Sequence, residues 1–216
     1  MLFKILLAIH IVTGFLSLTT GTINIIGPKG KSVHKKVGTI FVYSMIMAGI
    51  SALIMAILHP NHFLFIVGVF SLYMTISGKR YISRKFYNLF DYLITVFILL
   101  AAISFAIVGG LLLFKSQSFG IVMVVFSFIS FSFVYNDYQN IQYKIIRSTT
   151  IHLQRIIGAY IASFTAFLVV NAKYLPQFIP GYVYWLLPTI IFTPVIIWFS
   201  KKYTTPKQSE FQINKD

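Results

Sequence analysis

The stretch His10–Asn24, which reads HIVTGFLSLTTGTIN, decides how this chain folds. It lies inside an apolar run from Leu2 to Ile26, yet it carries a polar residue at every third or fourth position. These polar residues are His10, Thr13, Ser17, Thr20 and Asn24. On a helix, which turns ~100° per residue, they fall within an arc of about 80°. Because a run of this length spans a bilayer, and because polar groups in hydrocarbon need a partner, the pattern predicts a membrane helix whose polar face turns towards other helices.

The composition places the whole chain in a membrane. Of its 216 residues, 57% are hydrophobic and only 10% are charged, whereas soluble domains carry about 25% charged residues. The apolar runs predict an all-α, polytopic transmembrane helix bundle of seven helices over residues 1–200. The predicted helices cover residues 2–26, 37–58, 63–78, 89–114, 118–135, 150–171 and 182–200. A polar cytoplasmic tail at 201–216, with Pro206 and mixed charges, is predicted to be disordered.

The basic residues are distributed unevenly between the two ends of the predicted helices. Fifteen of the 18 lysines and arginines fall at one set of ends, and the other set holds only Lys4, Lys115 and Lys173. The positive-inside rule therefore predicts a protein of the inner (cytoplasmic) membrane with its N-terminus outside and its C-terminus in the cytoplasm. This placement favours contact with anionic lipids at the cytoplasmic face. The net charge of +14 by itself suggests a nucleic-acid partner. The placement of the charges disfavours that partner, because the sequence has no basic, aromatic-interleaved soluble face.

The residue types that are missing narrow the chemistry. Cysteine is absent, which excludes disulfides, thiolate metal sites and iron–sulfur clusters held by cysteine. No nucleophile elbow, glycine-rich phosphate loop or HExxH motif occurs, which disfavours hydrolases. Any cofactor would depend on histidine, carboxylate or methionine ligands.

Two histidines near the cytoplasmic ends of helices are the leading candidates for a site. His34 lies where the second helix starts, and His152 lies one turn into the sixth. Helix N-termini and neighbouring cations favour the neutral imidazole, which is the form that ligates metals and haem iron. We expect both to face inwards above small residues and to ligate haem b from opposite sides, with Arg155 among the basic side chains that meet its propionates and His10 as a further cofactor-binding residue. The alternative is a pair of interfacial histidines that bond to backbone or headgroups.

The scarce carboxylates allow a second kind of site. Asp91 begins the fourth helix, and Asp137 is predicted to follow the fifth. With His34 and His152, Asp91 would form a divalent metal site whose ligand types suit zinc or non-haem iron. The alternative role of Asp91 is electrostatic, either at its helix N-terminus or in a pair with Arg80, Arg84 or Arg155.

Four segments carry a family resemblance. They are His10-Ile-Val-Thr-Gly14, the segment GPKGKSVHKKVGTIFVYSM at 27–45, FSLYMTISGKR at 70–80, and HLQRIIGAYIA at 152–162. Together they resemble a bacterial family of predicted multi-spanning membrane proteins, catalogued as domain of unknown function 2306, over the first three helices and the sixth. The resemblance implies no assigned activity. It implies that the positions to watch are His10, Gly14, His34, Gly38, Tyr73, Gly78, His152 and Arg155.

Three hypotheses from different classes remain at this point. The first is a haem-binding or quinone-linked electron-transfer protein, a reading favoured by a likeness of layout to four-helix membrane cytochromes. The second is a small-solute or lipid transporter whose path follows the polar face of the first helix. The third is a structural or accessory subunit of a membrane partner. A visible absorption spectrum would single out the first.

Overall fold

The computed structural model describes residues 1–117 and 119–203, and these form seven α-helices without any strand. The helices are α1 (Leu2–Ile26), α2 (Ser32–Leu58), α3 (His62–Ser83), α4 (Leu89–Phe114), α5 (Phe119–Gln142), α6 (Thr149–Val170) and α7 (Gly181–Tyr203), with a short 3-10 helix at Ala172–Tyr174. Each of the seven is long and apolar enough to cross a membrane. The predicted all-α polytopic fold is therefore confirmed, and the predicted tail lies outside the described residues from position 204 onwards.

Helix ends differ from the sequence prediction where the chain turns polar. α1 and α4 have the predicted bounds, whereas α3 continues to Ser83, α5 continues to Gln142 and α7 includes the first three residues assigned to the tail. Asp137, which was expected to follow the fifth helix, therefore lies inside it. Hydropathy marks only the part of a helix that lipid surrounds, while the backbone hydrogen bonds continue into the polar flanks.

The chain divides into two compact units. Unit 1 comprises Met1–Ile82 and the residues from Ser148 onwards, and unit 2 comprises Ser83–Arg147. Unit 1 therefore holds α1, α2, α6, α7 and nearly all of α3, while unit 2 holds α4 and α5. The prediction of one transmembrane bundle over residues 1–200 stays a prediction.

In unit 1, α1 packs along α2 and also contacts α6, which pairs with α7. Small residues let α2 and α3 approach closely, as is common between membrane helices. A Cβ atom on Gly49 would lie 2.6 Å from Leu72 Cγ, and one on Gly68 would lie 2.9 Å from Leu53 Cδ2. α3 is accordingly the most deeply buried helix among the described residues, with an unbroken buried run from Ile66 to Thr75.

Unit 2 is an antiparallel pair of helices that meet at two glycines. A Cβ atom on Gly120 would lie 2.6 Å from the carbonyl oxygen of Gly109, a backbone atom that cannot move aside. Further along the pair, the Ser127 hydroxyl donates a 2.8 Å hydrogen bond to the carbonyl oxygen of Ala102. The two backbones are therefore held close together by the absence of side chains and by a buried hydrogen bond.

The polar face of α1 faces protein, as its spacing predicted. Ser17 is 0% exposed and Thr20 is buried, whereas Phe15 on the opposite face is 73% exposed. The hydroxyl groups of Thr13, Ser17 and Thr20 donate to carbonyl oxygens of α1 itself. Most hydroxyl groups on this face therefore have hydrogen-bond acceptors within α1 itself, and the small residues of the face pack against neighbouring helices.

Candidate functional site

One end of unit 1 brings together the start of α2, the end of α3 and the start of α6. The backbone amide of Ser148, which caps α6, donates to the carbonyl oxygen of Tyr81 at 3.0 Å. Four residues along α6, His152 reaches the carbonyl oxygen of Gly78. Both candidate histidines therefore lie at helix ends that the charge bias predicts to face the cytoplasm.

The imidazole of His152 is held by a single backbone carbonyl. Its Nδ1 lies 2.8 Å from the Gly78 oxygen, and because a carbonyl can only accept, Nδ1 carries a proton, which in the neutral imidazole leaves the lone pair on Nε2. A Cβ atom on Gly78 would lie 3.0 Å from Arg155 Cβ. Glycine at this position therefore lets α3 come close enough for its carbonyl to orient the imidazole.

His34 lies in the first turn of α2 and contributes an unsatisfied nitrogen. Its Nδ1 is buried and has no hydrogen-bond partner among the described residues. The His34 and His152 side chains are near enough to interact electrostatically, and Lys29 lies within the same range of His34. The two predicted histidines are therefore within electrostatic range of each other, while their joint ligation of an iron stays a prediction.

Arg155 lies one turn beyond His152 and is only 3% exposed. Its Nη1 donates to the Tyr73 hydroxyl and to Ser77 Oγ, the latter at 2.9 Å. The guanidinium carbon also lies 4.8 Å from the ring centroid of Tyr73 and 5.4 Å from that of Tyr81. Tyr73, Ser77 and Tyr81 are spaced four residues apart and so line one face of α3. That spacing was the signal by which Ser77 and Tyr81 could have been found in the sequence.

Unit 1 is rich in cations and poor in anions. Its described residues include no Asp or Glu. Its eleven described lysines and arginines are Lys4, Lys29, Lys31, Lys35, Lys36, Lys79, Arg80, Arg155, Lys173, Lys201 and Lys202. Lys79 also lies within electrostatic range of His152. The surroundings of the two histidines therefore favour a ligand that carries negative charge.

His10 lies elsewhere in unit 1. Its Nδ1 lies 2.9 Å from the carbonyl oxygen of Ala48 on α2. Ala48 comes 14 residues after His34, which corresponds to about 21 Å along a helix. The structure therefore does not bring His10 together with the other predicted cofactor-binding residues.

The carboxylate of the predicted metal site is engaged inside unit 2. Asp91 forms a capping box with Asn88 at the start of α4, and its Oδ1 lies 3.6 Å from Arg84 Nη1. No group of three or more histidine and carboxylate side chains in residues 1–117 and 119–203 is arranged to hold a metal ion. The hypothesis of a metal site at His34, His152 and Asp91 thus finds no cluster to support it, whereas the helix-terminal role of Asp91 is confirmed. A pair between Arg155 and a carboxylate stays a prediction.

Comparison with known proteins adds no relative: no family model, curated protein or solved structure matches this chain. The resemblance to the family of unknown function stays a prediction.

Proposed function

We propose that this multi-pass membrane protein binds haem b between His34 and His152 and carries electrons within the inner membrane. The observation that supports the proposal most strongly is the state of the two imidazoles. His152 is oriented through Nδ1 by the Gly78 carbonyl, which leaves its Nε2 lone pair for a ligand. His34 lies in electrostatic range and holds a buried nitrogen that no described residue satisfies.

The chemistry of these residues fits such a cofactor. A ligating histidine usually donates a hydrogen bond from its other ring N–H to a carbonyl or carboxylate, and this bond fixes the tautomer and the orientation of the ring. When bound, haem supplies a one-electron iron couple, and its propionates are carboxylates. Lys29 and Lys79 lie in electrostatic range of the two histidines, and Arg155 lies one turn away, so charge-assisted contacts to propionates are within reach of the chain. An anionic cofactor would then supply the negative charge that the described part of unit 1 lacks.

The proposal also includes orientation and partners. We place the N-terminus outside and the C-terminus in the cytoplasm, so that His34 and His152 lie near the cytoplasmic face. Electrons would come from, or pass to, a membrane quinone or a partner subunit in the same bilayer.

The test is an absorption spectrum of the purified protein, taken from cells supplied with haem, before and after dithionite. We expect one haem per chain, a Soret band that shifts on reduction, and loss of that band in His34→Ala and in His152→Ala. His59→Ala and His62→Ala are matched controls, because both residues lie beyond the far end of α2 and should leave the spectrum unchanged. Circular dichroism and elution volume would show that each variant is folded. A colourless wild-type protein, or a Soret band retained in both test variants, would overturn the proposal.

A further inference from the structure

Lys29 is fixed in place at the turn that joins α1 to α2. Its Nζ donates to the carbonyl oxygens of Ile25 at 2.7 Å and Gly27 at 2.8 Å, at the C-terminal end of α1. The same ammonium lies 4.4 Å from the ring centroid of Phe199 on α7. Phe199 is itself buried against Leu153 and other apolar residues of α6. The ammonium therefore rests on a packed surface that ties the α1–α2 turn to the pair formed by α6 and α7.

A second ammonium group approaches from the last turn of α7. Lys202 Nζ lies 4.6 Å from the ring centroid of Trp198 and 5.7 Å from that of Tyr203. Burial lowers the pKa of Lys29, and the positive charge of Lys202 lowers it further. Phe199, which the Lys29 ammonium contacts, lies three residues before Lys202 on α7, so the two ammonium groups are near enough to repel each other.

The described part of unit 1 supplies no carboxylate to offset this repulsion, because it contains no Asp or Glu, and the carbonyl oxygens that contact Lys29 are uncharged. The two lysines also lie at the ends of α1 and α7, where a membrane helix meets the headgroup region. Aromatic rings and snorkelling lysines are typical of this depth. The available anion at that depth is a phosphate.

We propose that Lys29 and Lys202 form a binding site for one phosphate group, carried by the headgroup of an anionic phospholipid. A phosphate accepts charge-assisted hydrogen bonds from both ammonium groups and removes their mutual repulsion. Trp198 and Tyr203 flank the site at the level where the headgroup joins the acyl chains. This site uses neither histidine, although its Lys29 is also one of the cations in electrostatic range of His34.

Trp198 gives the site its own fluorescent probe. The chain has only two tryptophans, and Trp185 lies 13 residues earlier on α7, about 20 Å away along the helix. In a Trp185→Phe background, the protein would be reconstituted into phosphatidylcholine vesicles that contain increasing fractions of brominated phosphatidylglycerol, whose bromine quenches nearby indoles. We expect half-maximal quenching at a lower lipid fraction than with brominated phosphatidylcholine. Lys29→Gln and Lys202→Gln should each weaken that preference about fivefold, which corresponds to about 1 kcal/mol per lysine at a membrane surface.

Lys201→Gln is the matched control, because it removes the same charge from the neighbouring exposed position and should keep the preference. The source of the phosphate is settled by adding inorganic phosphate to the same vesicles. Phosphate that displaces the lipid in wild type, and has no effect in the two test variants, would assign the site to free phosphate; no displacement would assign it to the headgroup. Equal quenching by both brominated lipids without any phosphate effect would overturn the site, as would an equal loss in Lys201→Gln. Haem content measured on the same samples keeps the outcome distinct from that of the haem proposal.

Discussion

Two buried arginines, Arg84 in unit 2 and Arg155 in unit 1, are each 3% exposed, and the contacts that they make within their own units differ. Arg84 donates to the carbonyl oxygens of Ile146 at 2.6 Å and Ile145 at 2.8 Å, and it forms an ion pair with Asp91. Inside unit 1, Arg155 is held by hydroxyl groups and by the faces of aromatic rings.

The difference shows how each unit manages its charge. Unit 2 contains both Asp91 and Asp137, so its buried cation has a counter-ion of its own. Unit 1 has Lys29 and Lys79 in electrostatic range of its two histidines and has no described carboxylate. Unit 2 therefore supplies a counter-ion for its buried arginine, while unit 1 is the part of the molecule in which an external anionic ligand would be stabilising.

The largest expected effect is all-or-none. It concerns which side of the membrane the basic ends of the helices face. A fusion of alkaline phosphatase to the C-terminus should be inactive, because that enzyme folds only outside the cytoplasm, while a fluorescent protein fused there should glow. A phosphatase fused after Pro60, in the turn between α2 and α3, should be active and serves as the control. The reverse pattern would place the cationic end of unit 1 outside the cell.

The next effect concerns the ion pair of unit 2. Arg84→Gln removes the guanidinium that pairs with the buried Asp91 carboxylate, and breaking a buried pair in this way costs about 3–5 kcal/mol. We expect this loss in the free energy of unfolding, measured by titration with a denaturing detergent in mixed micelles. Lys85→Gln, at the adjacent exposed position, should cost less than about 0.5 kcal/mol. The double variant Arg84→Gln/Asp91→Asn should recover part of the loss, and equal stability of the two single variants would refute the role given to this pair.

The smallest effect concerns the hydroxyl partner of Arg155. Tyr73→Phe keeps the aromatic face but removes an acceptor for a buried guanidinium, which costs about 1.5–3 kcal/mol for a hydrogen bond to a charged group. The loss should stay below that of Arg84→Gln, because Ser77 and the rings still contact Arg155. Tyr43→Phe is the control, since Tyr43 is 67% exposed. A Tyr73→Phe protein as stable as Tyr43→Phe would mean that the hydroxyl contributes nothing to holding the arginine.

Much of the fold could be predicted because it depends on local properties of the chain. The length of each apolar run predicts a membrane helix, and the spacing of His10, Thr13 and Ser17 predicts which face of α1 is buried. Both properties are set by helix geometry within one segment, so they do not depend on its neighbours. Successive membrane helices alternate in direction, and α2 and α6 are both even-numbered. His34 and His152, which lie near the N-termini of these helices, are therefore predicted at the same face of the membrane.

The sequence by itself determined the helices, their polar faces and the uneven distribution of charge, because hydropathy and periodicity act over a few turns. Only the tertiary structure decided which side chains meet. It paired Gly78 with His152 across 74 positions and Tyr73 with Arg155 across 82, kept His10 away from both, and engaged Asp91 with Arg84. Such pairs depend on how closely two helices approach, which is determined by small residues such as Gly49, Gly68 and Gly78 and by the packing of residues far apart in the chain. No local pattern contains that information.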